Sequence, residues 1–196
     1  MKKNFVLLTV LMLLSSLSVH AQLRSMVDLP NVYLTSKDVL HIPNQEGVGL
    51  DFGWGFGTHY LMIKPSVGID VTANFGNKEI LKTLLYNPYA KLEVGAGKWR
   101  SNGQRCAKTN SYAYTLMAKG GIKYNFGKRD ANAEYTIGKI ESFLDYYVAL
   151  EFANFFIKDM RRNSEFYLSP GYSLKSENFF AEVGIRHFIN TLASRR

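Results

Sequence analysis

The chain has 196 residues, 24 Lys or Arg against 16 Asp or Glu, and a single cysteine, Cys106. That length makes one domain, the lone thiol excludes an internal disulfide, and four histidines scattered at 20, 41, 59 and 187 give no set of zinc ligands. Thirteen Phe and twelve Tyr beside a mean hydropathy of only −0.12 argue against a bundle of membrane helices and suit strands that dilute an apolar face with a polar one.

In chain order, Lys2-Lys3, the apolar run FVLLTVLMLL and a stretch ending Val19-His20-Ala21 form a signal peptide over residues 1–21. The apolar core is too short for a membrane-spanning helix, which needs about 20 residues. Cleavage after Ala21 removes two positive charges from the formal +8. A basic exported chain meets anionic lipid or polysaccharide rather than nucleic acid. Residues 22–46 hold Pro30, Pro43 and the mixed run VYLTSKDVLHI. They show no sustained period and read as a periplasmic lead or plug, with an extra strand as the alternative.

From residue 47 the chain alternates. Val48, Leu50, Phe52, Trp54 and Phe56 interleave with glycines and Asp51 over 47–57. Leu61, Ile63, Pro65, Val67, Ile69, Val71, Ala73 and Phe75 interleave with Lys64, Asp70 and small residues over 61–76. Residues 77–86 open on Asn77 as a helix cap and read as one or two surface turns. Alternation resumes over 86–97, 111–126, 143–153, 166–175 and 179–188, and weakly over 131–140, where Lys139 breaks it. Period two sustained this far marks half-buried strands. Counting the weak one gives eight, an even number that suits a small membrane barrel. Pro65, Pro88 and Pro170 fall inside these strands and each removes one ladder donor.

Alternation does not by itself say which face is outside. A soluble barrel with its charges in water is the alternative. Three features favour lipid outside. Several strands alternate for longer than soluble strands of about 5–6 residues. Aromatics gather toward strand ends, as in the girdles of membrane barrels. The polar face carries both signs in near balance: Asp51, Lys64, Asp70, Lys91, Glu93, Lys119, Lys123, Asp145, Glu151, Glu182 and Arg186, with Glu134 and Lys175 of the same parity. Charges enclosed in a narrow lumen must pair, and this set can. The fold read here is therefore all-β, an eight-stranded antiparallel transmembrane β-barrel over 47–189 behind a cleaved signal peptide, with a tail at 190–196.

The start ending AQ, the glycine-and-aromatic hairpins and the apolar last strand resemble the small outer-membrane β-barrel proteins of the Bacteroidota type, OmpA-like or OmpW-like, over roughly residues 47–189. Such barrels commonly end on an aromatic residue; here Phe188 closes the last strand and NTLASRR follows. The resemblance implies localisation in the outer membrane of a Gram-negative bacterium. It also implies contact with outer-membrane lipid and lipopolysaccharide, and a role as a structural anchor, an adhesion protein, a narrow pore or a subunit of an envelope machine.

Two sets of residues bear on activity. Lys98, Arg100, Arg105 and Lys108 in the segment 98–110, placed extracellularly when the barrel begins at 47, are candidates to contact lipid phosphates or an envelope protein partner. His59 and His187 share the apolar parity of their strands, as a lipid-modifying enzyme would need, but the nearest serines, Ser66 and Ser173, take the polar parity. The expectation is a non-enzymatic anchor or interaction component with no cofactor, then a narrow passive pore, then a lipid-modifying enzyme.

Overall fold

The computed structural model describes residues 24–39, 42–73, 85–102, 111–127, 142–157 and 162–191. Eight strands run β1 (Arg24–Val39), β2 (Ile42–Gly57), β3 (Leu61–Ala73), β4 (Leu85–Asn102), β5 (Ser111–Asn125), β6 (Phe143–Ile157), β7 (Arg162–Ser173) and β8 (Asn178–Asn190). Each pairs antiparallel with its sequence neighbours, and β1 closes on β8 from Met26↔Asn190 to Lys37↔Phe180. The result is a closed barrel without a free edge, the arrangement that satisfies every ladder within a membrane. Among the described residues no helix is long and apolar enough to cross one; the crossing is made by strands.

The first strand differs from the sequence reading. Arg24–Val39, taken as a lead or plug within 22–46, is wall. Pro30 explains why its pattern is hard to read. It has no N–H to donate, and the registers to both β2 and β8 step across it. Leu29 and Pro30 therefore both face outward, and the inward parity changes from Met26 and Asp28 to Asn31, Tyr33 and Thr35. β5 pairs directly with β6, so the eight strands close without a contribution from 131–140. That segment and the signal peptide lie outside the described residues, as do 77–84 of the surface turns expected over 77–86, whose last two residues, Leu85 and Tyr86, instead open β4.

Two of the internal prolines coincide with missing rungs of a ladder. The β2–β3 register passes from Gly53↔Ser66 to Phe56↔Ile63, leaving Pro65 without a partner on β2. The β6–β7 register passes from Ala149↔Gly171 to Phe152↔Leu168, leaving Pro170 unpaired toward β6. Pro88 pairs with Ile69 on β3 and lies one residue outside the β4–β5 ladder, which begins at Tyr89↔Asn125; its carbonyl accepts from the Phe126 N–H at 2.9 Å.

The two faces of the wall are chemically opposite. Leu34, Val48, Phe52, Ile63, Val67, Val94, Leu116, Val148, Leu150 and Ile185 are all exposed on the outer surface, Leu34 to 63%. A continuous apolar belt of this extent exceeds the patches of water-soluble monomers. Aromatic rings bound the belt. Trp54 stacks on Phe56 at 4.9 Å, with Tyr60 nearby, toward the chain termini. Tyr124–Phe126 and Tyr172–Phe179, at 4.9 and 5.0 Å, ring the other end with Tyr86 and Tyr146. Those are the two interfacial girdles of a transmembrane barrel, and this chain is one in architecture.

Candidate functional site: the charged lumen

The inward positions build a solid plug. At the end nearest the chain termini, Met26, Met62, Trp99, Met117 and Phe188 form a buried apolar cluster. Arg100 lies against it, its guanidinium 3.7 Å from the centre of the Phe188 ring. Its Nη2 donates to Asp28 at 2.7 Å and to Glu165 at 2.6 Å. Asp28 is also paired with Lys64, and Glu165 and Glu151 with Arg186. Lys119 then bridges Glu151 at 2.7 Å and Glu93 at 3.0 Å, and the Tyr147 hydroxyl donates to Glu93 at 2.8 Å. Farther along, Lys91 pairs with Asp51 at 3.0 Å and Lys123 with Asp70 at 2.7 Å. Tyr33 and Tyr89 tie the last two together: the Tyr33 hydroxyl bonds Asp70 and lies 2.7 Å from that of Tyr89, which donates to Asp51 at 3.2 Å.

Every buried base in this network faces at least one carboxylate, as the cost of desolvating an ion demands. The network runs from strand to strand across the lumen. Room for it comes partly from glycines. A Cβ on Gly49 would run into the Tyr33 ring, and one on Gly121 into the Tyr147 ring. Each large ring thus seats over a glycine directly opposite it on the adjacent strand.

Of the residues named from sequence, Asp51, Lys64, Asp70, Lys91, Glu93, Lys119, Lys123, Asp145, Glu151, Glu182 and Arg186 all lie on the lumen side. Lys175 does not; it is exposed beside β7. Arg100 is a correction. It is buried in the lumen and cannot act as a loop contact. A bulge between Lys98 and Ser101 gives it a φ of +46° and turns both Trp99 and Arg100 inward. A non-glycine residue in the left-handed region carries strain that the surroundings must outweigh, and here two carboxylates hold it. Asp28 and Glu165 are further members that sequence reasoning missed, the first because β1 was not recognised, the second because it precedes the alternation assigned to 166–175.

The extra strand also reverses the ends. Asn102 and Ser111, flanking 103–110, lie at the same end as Arg24 and Asn190, opposite to the placement expected from sequence. Lys98 is exposed on the outer wall and donates to the Tyr114 hydroxyl at 2.8 Å. Arg105 and Lys108, like Cys106, lie outside the described residues.

The histidines are separate from the plug. His59, in the turn between β2 and β3, has Nε2 3.2 Å from an Arg24 Nη2, while Arg24 donates to the Trp99 and Arg100 carbonyls at 3.1 and 3.0 Å. Partial burial, then the Arg24 charge, push the His59 pKa below its ordinary value. His187 is exposed on the outer wall and contacts Ser164 across the β7–β8 pair, Oγ to Nδ1 at 2.5 Å. Ser164 is the outward serine that sequence reasoning overlooked. No carboxylate among the described residues bonds His187 Nε2 to complete a triad.

No protein family and no curated protein matches the chain in sequence. Among solved structures it is similar to Neisserial surface protein A, with 7% identity and a TM-score of 0.47 over 84% of this chain and 96% of that one. It is also similar to the N-terminal beta-barrel domain of Pseudomonas aeruginosa OprF, with 9% identity and a TM-score of 0.43 over 86% and 100%. A third is Ail, the attachment invasion locus protein of Yersinia pestis, solved in complex with the heparin analogue sucrose octasulfate, with 12% identity and a TM-score of 0.38 over 86% and 99%.

Proposed function

We propose that this chain is an outer-membrane barrel of a Gram-negative bacterium, of the Bacteroidota type, acting as a non-enzymatic anchor or interaction component of the cell envelope. The observation that carries this reading is the lumen. Paired charges fill it around an apolar floor of Met26, Met62, Trp99, Met117 and Phe188, which favours a sealed post over a conduit. The longer unpaired connections, Ala73 to Leu85 and Asn125 to Phe143, fall at the end away from the termini. Bacterial barrels carry their longer loops outside and short turns in the periplasm, so that end faces the exterior and presents the surface for an envelope protein partner. Outer-membrane lipid and lipopolysaccharide cover the belt between the two aromatic girdles.

Planar-bilayer recording on purified protein tests the reading. The expected trace is silent; steady, voltage-stable ion conductance would establish the narrow-pore alternative instead. The exposed Ser164–His187 contact supplies a nucleophile and a base but no orienting acid among the described residues. Incubation with phospholipid and lipopolysaccharide vesicles is therefore expected to release no fatty acid.

A further inference from the structure

Beyond the charge network, the lumen ends in a cup at the end away from the termini. Its charge is unbalanced. Lys91 and Lys123 on its floor are neutralised by Asp51 and Asp70. Asp145 and Glu182, which also line it, form no close ion pair among the described residues, although Glu182 lies within electrostatic reach of Lys91. Among the described residues, Asp145 accepts one hydrogen bond, from the Ser173 hydroxyl at 2.7 Å, and Glu182 accepts none.

A second observation points the same way. Asn87, which lines the cup, is only 4% exposed. Its Nδ2 donates to Asn125 at 2.6 Å, but its buried Oδ1 has no donor. Buried acceptors are ordinarily satisfied. The wall beside them is aromatic, with Phe143 and with Phe180 packed edge-on against Tyr147 at 5.6 Å between centroids. The chain's own Lys175 already places its ammonium 5.8 Å from the Phe143 ring centroid, attached to neither carboxylate. Acceptors, aromatic faces and surplus negative charge are the complement of an N–H-donating organic cation with an apolar stem. An anion would meet Asp145 and Glu182 with both floor lysines already engaged. A metal ion lacks a ligand set, since no group of three or more His, Cys, Asp or Glu converges among the described residues.

We propose that this cup is a binding site for a primary ammonium group on a short alkyl stem, with Asp145 and Glu182 as counter-charges, Asn87 Oδ1 as a further acceptor and Phe143 and Phe180 as the wall for the stem. The site does not depend on which membrane holds the barrel, and a conducting lumen would not remove it.

Titration of isotope-labelled, detergent-folded full chain with 1,5-diaminopentane, followed by NMR, tests it. The amine is expected to shift the Asp145, Glu182 and Phe180 signals saturably, whereas 1-pentanol and pentanoate do not. The double variant D145N/E182Q keeps the shape and the Ser173 bond, and is expected to lose at least tenfold in affinity while still migrating as a folded barrel. Equal binding by pentanol, unchanged affinity in the double variant, or no saturable shift overturns the proposal. So does binding that emerges only after Lys175→Gln, because the cup would then belong to the chain's own lysine. Acetyl-lysine amide separates the ligand's sources: affinity matching the diamine indicates a peptide lysine, weaker affinity a free polyamine.

Discussion

Arg100→Met is the sharpest probe of the plug. It keeps a long side chain at a bulged, left-handed position but deletes a charge that touches both Asp28 and Glu165. Breaking a buried ion pair by removing one partner costs about 3–5 kcal/mol. Here neither carboxylate is left alone, because Lys64 still reaches Asp28 and Arg186 still reaches Glu165. The loss is therefore expected near the low end, about 3 kcal/mol. Adding Glu165→Gln removes the carboxylate with the larger deficit, since its Oε2 already lacks a donor. The double variant is expected to recover about 1–2 kcal/mol relative to additive behaviour. Urea unfolding of vesicle-inserted protein, read by tryptophan emission, measures both. Trp99 packs in the floor beneath Arg100 while Trp54 lies in the outer girdle, so a Trp54→Phe background isolates the lumen signal. A single-variant loss under about 1 kcal/mol, or strict additivity, would refute the claim that the pairs act as one network.

Depth in the membrane should govern the outer face. Leu150→Arg, mid-β6, is expected to cost about 2–4 kcal/mol and Leu174→Arg, just past the end of β7, about 0–1, although the two leucines are nearly equally exposed; equal costs in vesicle unfolding would argue against lipid on this wall. Gly49→Ala drives a methyl group into the Tyr33 ring, whose hydroxyl is held by Asp70 and Tyr89. It should destabilise by about 1–3 kcal/mol, while outward Gly120→Ala, whose methyl would meet only the Tyr147 carbonyl at an ordinary 4.0 Å, serves as the neutral comparison in the same assay. His59 should titrate below 6.5 by NMR, because burial and Arg24 favour its neutral ring. A lowered histidine pKa means that its stabilising effect is complete above about pH 6.5 and is lost as pH falls through the folded value. Wild type should thus lose stability relative to His59→Gln on acidification, and a titration at or above 6.5 contradicts this.

What could be read from sequence tracks the regularity of the backbone. β3 holds one parity from Leu61 to Asp70, so the inward places of Lys64 and Asp70 follow from counting by two. The misreadings collect at two bulges. Pro30 shifts the parity of β1 and hides a whole strand. The break after Lys98 turns Arg100 from an apparent loop cation into a buried one. Overlooking β1 also inverted the assignment of the two barrel ends. Pairing is a different matter, because Arg100 meets Asp28 and Glu165 across separations of 72 and 65 residues. Parity places charges in the lumen without saying which of them touch, and that is also why the surplus of Asp145 and Glu182 is invisible until the rungs are aligned.

The seam between β1 and β8 bears on how such a chain is made. Nearly the first and nearly the last described residues meet there, Met26 opposite Asn190, with the Thr191 N–H reaching the Ser25 carbonyl at 2.8 Å. An intermediate that still lacks β8 cannot zip that joint. Until β8 arrives, β1 and β7 each present an open row of amides and carbonyls to any passing strand, and only closure of the barrel removes that exposure to mispairing.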